Sequence, residues 1–345
     1  MSPGGSIIIE ANQETNKRNE ENGMCGDNAV FDAMRKKIAA NDAEFRVASR
    51  SPWGPDDEIG MLNFVDDIDA AGLLARTTGQ VYDLATEYFI GMPHWRDFGD
   101  QPYSIWMSHT PNGSVVDDVI GCGDKENHLV SYSGDSIMMY THCGTHIDTF
   151  NHFGYNHEIW NGFKESEHLG SRHWDVCGAD KHPPIITRGV LLDVAKANGT
   201  DLLPSGFAIG EEEIRETMKQ QGTEIRPGDV VLIRTGRMTL WPDSDAFIND
   251  EPGINRSGAE FLSKQGAMII GADNIALEVR PSEDPENFHV VHSYLLAEAG
   301  VVILEMACLE ELARDEVHEF AFMGSCLKLR GSTGSPMRPV AMALQ

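Results

Sequence analysis

Four side chains that could bind a metal ion or transfer a proton lie within eleven residues near the middle of the chain. The segment Thr141–His152 reads THCGTHIDTFNH, and these side chains all stand at even positions: His142, His146, Asp148 and His152. Residues two apart in an extended strand share a face, so we expect His142, His146 and Asp148 to point the same way. Gly144 would then leave room for an ion against the backbone between the two histidines.

A helix would also bring His142 and His146 together, because residues four apart lie on one helical face. Gly144 and the β-branched residues Thr145 and Ile147 disfavour a helix here. The segment is therefore predicted to form the end of a strand that runs into a loop, where catalytic side chains are commonly found.

The donor types in this segment suit a catalytic metal site. The two imidazoles and the carboxylate of His142, His146 and Asp148 are ligands for Zn²⁺, Mn²⁺ or Fe²⁺ and leave coordination positions for water and substrate. His152 is predicted to stand beside the metal and to accept a proton from the water that the metal activates. The competing interpretation is a histidine-rich loop whose imidazoles are solvated or hydrogen-bonded without a metal.

A second constellation follows near the end of the chain. His292 begins a helical pattern, and Glu305 closes the apolar run Val301–Glu305. A carboxylate at the edge of a buried layer is unfavourable unless it is paired or binds a metal. His292 and Glu305 are therefore predicted to complete a five-ligand set with the first segment, enough for two ions bridged by Asp148. The alternative is that Glu305 simply emerges into solvent.

The helices and strands that must position these residues differ between the two halves of the chain. Segments rich in β-branched and aromatic residues predict strands in the front half at 80–89, 129–140 and 185–194. In the back half, helices are predicted at 211–220, 257–265 and 292–299, alternating with strands at 229–235, 267–271 and 301–305. A β-rich part followed by this alternation indicates a mixed α/β fold.

The composition excludes several classes of protein. The chain has 345 residues, and 54 acidic against 27 basic residues give a net charge of −27. A surface this acidic repels phosphate backbones, so we expect no nucleic-acid partner. No apolar run approaches the length of a membrane span and no secretory signal is recognisable, so a cytoplasmic protein without membrane contact is predicted. Residues 1–45 are polar and are predicted to form a mobile tail ahead of a single catalytic domain, 46–345.

The first segment and its surroundings resemble the cyclase-like family of metal-dependent hydrolases, which includes bacterial kynurenine formamidase and isatin hydrolase. The pattern H-x-G-T-H-x-D-x-x-x-H at 142–152 is the most specific part of the resemblance. Further segments similar to the family follow in order: Trp53–Gly60, Ile159–Phe163, Pro184–Asp193, Gly228–Gly236, Gly271–Asn274, His292–Glu305 and Leu329–Pro336. The resemblance thus covers most of the predicted catalytic domain.

The resemblance implies a mixed β/α domain with a β-barrel-like core flanked by helices, assembled as a homodimer or homotetramer. It also implies one or two divalent ions, zinc or manganese, as cofactors. Matched residue by residue, the family's catalytic histidine is His152, and its metal ligands are His142, His146, Asp148 and, in members with two ions, His292 and Glu305.

One position departs from the family pattern, because Phe150 stands where the family often has proline. The resemblance therefore does not carry over a substrate. Phe150, Trp53 and Trp160 are predicted to line a pocket for a small, flat aromatic or heterocyclic substrate, with ordinary packing as the alternative for each ring. Three further residues could either orient substrate and ligands or form structural ion pairs: Arg234, Asp273 and Glu278.

The predicted activity is hydrolysis of a carbon–nitrogen bond in a small amide, formamide or lactam, with metal-activated water and His152 as the general base. The first alternative keeps the metal but replaces hydrolysis by lyase, dehydratase or ring-forming chemistry of secondary metabolism. The second alternative is a non-catalytic, metal-binding member of the family.

Overall fold

A computed structural model describes residues 46–95, 99–284 and 286–345, so the predicted tail, 1–45, lies outside the described residues. The strands are β1 (Thr77–Asp83), β2 (Ser104–His109), β3 (Gly134–Met138), β4 (His146–Asp148), β5 (Ile185–Asp193), β6 (Ala208–Ile209), β7 (Val230–Arg234), β8 (Gly253–Ile254), β9 (Ile269–Ala272), β10 (Val302–Glu305), β11 (Glu319–Gly324), β12 (Gly334–Pro336) and β13 (Val340–Leu344). The α-helices are α1 (Ala70–Leu74), α2 (Pro111–Asp117), α3 (Asp124–Leu129), α4 (Glu165–His168), α5 (Val194–Ala197), α6 (Glu211–Gln221), α7 (Ser244–Ile248), α8 (Arg256–Gln265), α9 (Val290–Ser293) and α10 (Glu310–Arg314).

One curled sheet of nine strands organises the fold, in the order β1-β13-β11-β5-β7-β9-β10-β4-β12. Its centre is parallel, because β5, β7, β9 and β10 run in one direction. The strands on both sides of this centre pair antiparallel with their neighbours. The sheet forms a half-barrel flanked by helices, which confirms the predicted mixed α/β class.

Continuous apolar runs explain the parallel centre. Every residue of β7, β9 and β10 is buried, as expected for strands that are covered on both faces. Helices α6 and α8 connect these strands, and each ends at a glycine with a left-handed backbone, Gly222 (φ 69°) and Gly266 (φ 100°). The predicted helices and strands of this half are confirmed, with small shifts at their ends.

The front half differs more from the prediction. The strand predicted at 80–89 corresponds to β1, which ends at Asp83. Asp83 pairs with Val340, the first residue of β13, and the pairing of the two strands ends there. The strand predicted at 129–140 is reduced to β3, because the chain before it forms the helix α3. In the back half, the largest difference is at the helix predicted at 292–299, which begins two residues earlier as α9 and continues as a π-helical segment, Tyr294–Ala299.

Residues 101–140 form a projecting segment that we call the arm. Strands β2 and β3 of the arm pair only with each other within the described structure, and α2 and α3 lie between them in sequence. At the base of the arm, the backbone N–H of Tyr140 donates to the carbonyl oxygen of Gln101 at 2.9 Å. This hydrogen bond joins the two ends of the arm. The second end lies just before His142 in the sequence.

The main core joins the parallel strands to the helices that cover them. Buried side chains of β5, β7, β9 and β10 form one apolar cluster with those of α6, α8 and the π-helical segment. This packing fixes the carboxyl end of β10, where Glu305 stands. Among the described residues, no helix is long and apolar enough to cross a membrane.

Candidate metal centre

Strand pairing brings three of the predicted ligands to one place. Strand β4 carries His146 and Asp148, which are two residues apart and therefore share a face. Strand β10 pairs antiparallel with β4, and its Glu305 stands directly opposite His146. Such cross-strand partners point to the same side of a sheet. The register of two short strands thus assembles a buried group of His146, Asp148 and Glu305.

Three polar atoms of this group have no hydrogen-bond partner in the described structure: His146 Nε2, Asp148 Oδ2 and Glu305 Oε1. His146 Nε2 lies 3.3 Å from Asp148 Oδ1 and 3.2 Å from Glu305 Oε2, but not in hydrogen-bonding geometry. Unpartnered buried polar atoms are unfavourable and call for an explanation. One donor atom from each residue lies within 4.8 Å of the other two. Buried imidazole and carboxylate donors in this arrangement fit a divalent ion such as Zn²⁺ or Mn²⁺.

His142 reaches this group through a turn rather than along an extended strand. Residues 141–145 precede β4, and Gly144 has a left-handed φ of 61°. The predicted common face therefore holds for His146 and Asp148 but is wrong for His142, because the chain bends at Gly144. The room predicted for an ion at Gly144 is also absent, since a Cβ there would lie 2.4 Å from the ring of Tyr88.

The His142 ring is held between β4 and β12. Its Nδ1 lies 2.6 Å from Asp148 Oδ1, and its Nε2 lies 2.9 Å from Thr333 Oγ1. Gly334 stands opposite Asp148 in the antiparallel pair, and a Cβ at Gly334 would lie 2.5 Å from Cε1 of His142. A nitrogen of His142 can bind a metal only when its hydrogen bond to Asp148 or to Thr333 is broken.

We expect Gly334→Ala to weaken metal binding by about 10–100-fold, the effect typical of losing a group that orients a ligand. The added methyl group must displace the His142 ring from Asp148. Titration of chelator-treated protein with Zn²⁺ measures the affinity. Gly170→Ala is the matched control, because a Cβ there would meet only the His173 carbonyl oxygen, at 3.4 Å. Equal affinities of the two variants would contradict the importance of the His142 position.

His292 faces the same group from its helix. Its Nε2 lies 3.1 Å from Glu305 Oε1 and 3.6 Å from Asp148 Oδ2. Its Nδ1 lies 2.6 Å from Glu278 Oε1, and Glu278 also accepts the backbone N–H groups of His292 and the preceding residue. Glu278 therefore fixes the ring with Nε2 towards the two carboxylates. Metal-binding histidines commonly have such a carboxylate behind them.

Glu278→Gln is expected to weaken metal binding by about 10–100-fold. The amide leaves one acceptor oxygen for the N–H groups that the carboxylate now accepts from His292 and the preceding residue, and it carries no negative charge, so it holds the His292 ring less firmly. Competition with a chelating dye measures the affinity, and circular dichroism checks the fold. Asp273→Asn is the control, because Asp273 is a buried carboxylate that holds a backbone turn. An equal loss of affinity in both variants would contradict the assigned role.

Buried carboxylates raise the pKa values of two histidines in the centre. Burial alone would lower the pKa of His146, but Asp148 and Glu305 raise it to about 10. Burial also opposes the shift at His292, whose pKa Glu278 and Glu305 raise well above the ordinary value. The protonated imidazoles neutralise the carboxylates when no cation is bound. Metal binding must displace these protons, so the affinity for metal falls as the pH falls.

His152 lies beside this group, and no described residue forms a hydrogen bond with its ring nitrogens. The half-buried ring stacks on His142, with 3.9 Å between ring centroids. Burial and the imidazole of His142 lower the pKa of His152 well below its ordinary value, although Asp148 opposes this shift. His152 is therefore neutral at pH 7. Because donor atoms of His142, Asp148 and His152 also lie within 4.8 Å of one another, this ring can serve as a proton acceptor or as a ligand.

Two of the three aromatic residues predicted to line the substrate pocket, Phe150 and Trp160, belong to the core, whereas Trp53 is half-buried and packs against the core. Phe150 and Trp160 have no exposed surface, and their ring centroids are 5.4 Å apart. Trp160 also donates a hydrogen bond from Nε1 to Asp57, while Trp53 packs edge-on against Phe64. A role of these three rings in substrate binding stays a prediction that these contacts do not support.

The three residues whose roles the sequence leaves open have different surroundings. Arg234 is buried and forms ion pairs with the buried Asp193 and the half-buried Glu310. Asp273 accepts hydrogen bonds from the backbone of the turn after β7. Glu278 is the one of the three that contacts a predicted metal ligand.

Sequence reasoning misses other residues at the centre: Phe153, Thr333 and Gly334. The ring centroid of Phe153 lies 4.6 Å from that of His152 and 5.1 Å from that of His292. Thr333 contacts His142 from 191 positions away in the chain. The sequence pattern Leu329–Pro336 marks a segment similar to the family, but no residue type in it signals this contact.

Comparisons with known proteins identify the family of this fold. The profile of the cyclase family matches residues 82–279. The crystal structure of a novel cyclase is 27% identical to this chain, with a TM-score of 0.74, and the match covers 86% of this chain and 99% of that one. No curated protein matches the sequence significantly.

Two further solved structures share the fold at lower identity. Isatin hydrolase A from Ralstonia solanacearum is 20% identical, with a TM-score of 0.59, over 79% of this chain and 95% of its own. Isatin hydrolase A from Labrenzia aggregata, bound to benzyl benzoate, is 18% identical, with a TM-score of 0.56, over 82% of this chain and 99% of its own.

Proposed function

Because the chain belongs to the cyclase family, we propose that it is a metal-dependent hydrolase that cleaves a carbon–nitrogen bond in a small amide, formamide or lactam. The observation that carries this proposal is the buried set of unpartnered donor atoms on His146, Asp148 and Glu305 next to the neutral ring of His152. Two structures with this fold are named isatin hydrolases, which supports hydrolysis as the class of reaction.

The catalytic ion, zinc or manganese, would be held by His146, Asp148 and Glu305, with Nε2 of His292 facing the same place. Asp148 also belongs to the donor group with His142 and His152, so one carboxylate could serve two ions. An ion bound by His142, Asp148 and His152 would use His152 as a ligand. We therefore assign catalysis to the protein in which His152 binds no ion.

A divalent ion bound there supplies a Lewis acid that lowers the pKa of water and polarises a carbonyl oxygen. His152 accepts the proton of the attacking water, because its imidazole is neutral at pH 7 and its ring nitrogens have no hydrogen-bond partner among the described residues. The carboxylate of Asp148 stabilises the positive charge that His152 then carries. The same ring returns the proton to the departing nitrogen. Phe153 packs against the rings of both His152 and His292.

Turnover in ¹⁸O-labelled water tests this reaction directly. The metal-loaded protein is assayed by mass spectrometry with formanilide, benzamide and oxindole, which represent a formamide, an amide and a lactam. Hydrolysis requires one labelled oxygen in the carboxylate product. An unlabelled product would support lyase or ring-forming chemistry instead, and the absence of turnover with the whole panel would support a non-catalytic metal-binding protein.

A further inference from the structure

Arg280 differs from every other buried or half-buried arginine of the described chain. Four of these arginines form ion pairs with carboxylates: Arg188, Arg226, Arg234 and Arg256. Arg237 donates to the backbone carbonyl groups of Phe247 and Asn249. Arg280 is half-buried, and its guanidinium group donates to no carboxylate or carbonyl oxygen of the described residues. In a chain with twice as many acidic as basic residues, such an arginine is unusual.

The guanidinium group of Arg280 stands at the edge of the metal centre. Its Nη1 lies 3.4 Å from His289 Nε2, and its Cζ lies 4.5 Å from the ring centroid of Trp95. The other ring nitrogen of His289 lies 3.2 Å from Glu278, the carboxylate behind His292. The ring centroids of His289 and His292 are 4.7 Å apart. One histidine ring therefore separates Arg280 from a predicted metal ligand.

Aromatic side chains occupy the space between Arg280 and His152. The Phe153 ring centroid lies 5.1 Å from that of His289 and 4.6 Å from that of His152. Phe288 lies next to Phe153 and is 57% exposed, while Trp95 is half-buried. The rim of the centre is thus flat, apolar and partly open to solvent, with a single cationic group on it from the described residues around His289.

We propose that Arg280 binds a carboxylate group of the substrate, so that the substrate class is a flat amide or lactam that also carries a carboxylate. This inference rests on the proposed function. Arginine presents a planar pair of N–H donors that matches a carboxylate, and the Trp95 ring holds that plane in position. The amide end of such a substrate would lie towards His152 and the aromatic ring against Phe153, with the carboxylate on the guanidinium group.

Paired ligands that differ only in the carboxylate test this assignment. Calorimetry on the metal-loaded protein compares 4-carbamoylbenzoate with benzamide, first in the wild type and then in Arg280→Gln. We expect Arg280→Gln to weaken binding of 4-carbamoylbenzoate by about 10–100-fold, the range for a charged hydrogen-bonded contact, and to leave benzamide binding within about twofold. Arg226→Gln, which removes a half-buried arginine that pairs with Glu224, should leave the binding of both ligands unchanged.

The outcomes separate this inference from the proposed function. Equal binding of 4-carbamoylbenzoate by the wild type and Arg280→Gln would overturn the role of Arg280, whether or not either amide is turned over. If Arg280→Gln loses binding of 4-carbamoylbenzoate but not of benzamide, the role of Arg280 is supported. If the wild type at the same time turns over neither ligand, the result counts against hydrolysis of this class of amide.

Discussion

Replacing His152 by alanine is expected to lower kcat by roughly 10²–10⁴-fold, the range for loss of a general base, with nearly unchanged metal content. His152 stacks on His142 and has a pKa well below the ordinary value, because burial and the neighbouring imidazole disfavour its charged form. It is thus a neutral proton acceptor at the edge of the centre. Steady-state kinetics and elemental analysis of the same preparation measure both quantities.

The control for this variant is His157→Ala, which removes an exposed histidine paired with Glu165. Its kcat and metal content should equal those of the wild type. A His152→Ala protein with normal kcat would remove the general base from the mechanism. Loss of metal together with kcat would instead assign His152 as a ligand, in the donor group that it forms with His142 and Asp148.

Replacing Asp148 by asparagine is expected to have the largest effect on metal binding, a loss of more than about 100-fold, which exceeds the effect of losing an orienting group. Asp148 belongs to both donor groups, with Oδ1 at 2.6 Å from His142 and Oδ2 at 3.6 Å from His292. Asparagine keeps the shape but removes the negative charge that attracts a cation. Turnover should fall to the level of the metal-free protein.

Elemental analysis of protein purified without added metal measures this effect. Asp229→Asn is the control, because Asp229 is a buried carboxylate that pairs with Arg188 away from the centre. It should alter stability without changing the metal content. A full complement of metal in Asp148→Asn would show that the ion binds elsewhere.

The strands of the centre could be predicted from sequence because their signals are local. The buried apolar run of β10 ends at Glu305, and the period of two in β4 places His146 and Asp148 on one face. The prediction fails where the chain turns. Gly144 adopts a left-handed backbone, so alternation cannot be extended to His142.

Other features depend on contacts between distant parts of the chain, which residue spacing does not encode. The His142 ring requires the missing side chain of Gly334, and the tautomer of His292 depends on Glu278. The predicted pocket residues illustrate the same limit. Phe150 lies within the segment predicted to bind the metal, yet its ring packs against Trp160, whereas Phe153 faces the histidines.

Anomalous diffraction from crystals of the metal-loaded protein tests the central claim most directly. Data collected on both sides of the absorption edge of zinc or manganese locate the ion. The account predicts a peak between His146 Nε2, Asp148 Oδ2 and Glu305 Oε1, the three buried atoms without partners. A loaded crystal with no peak among these atoms, or with its peak at another site, would contradict it.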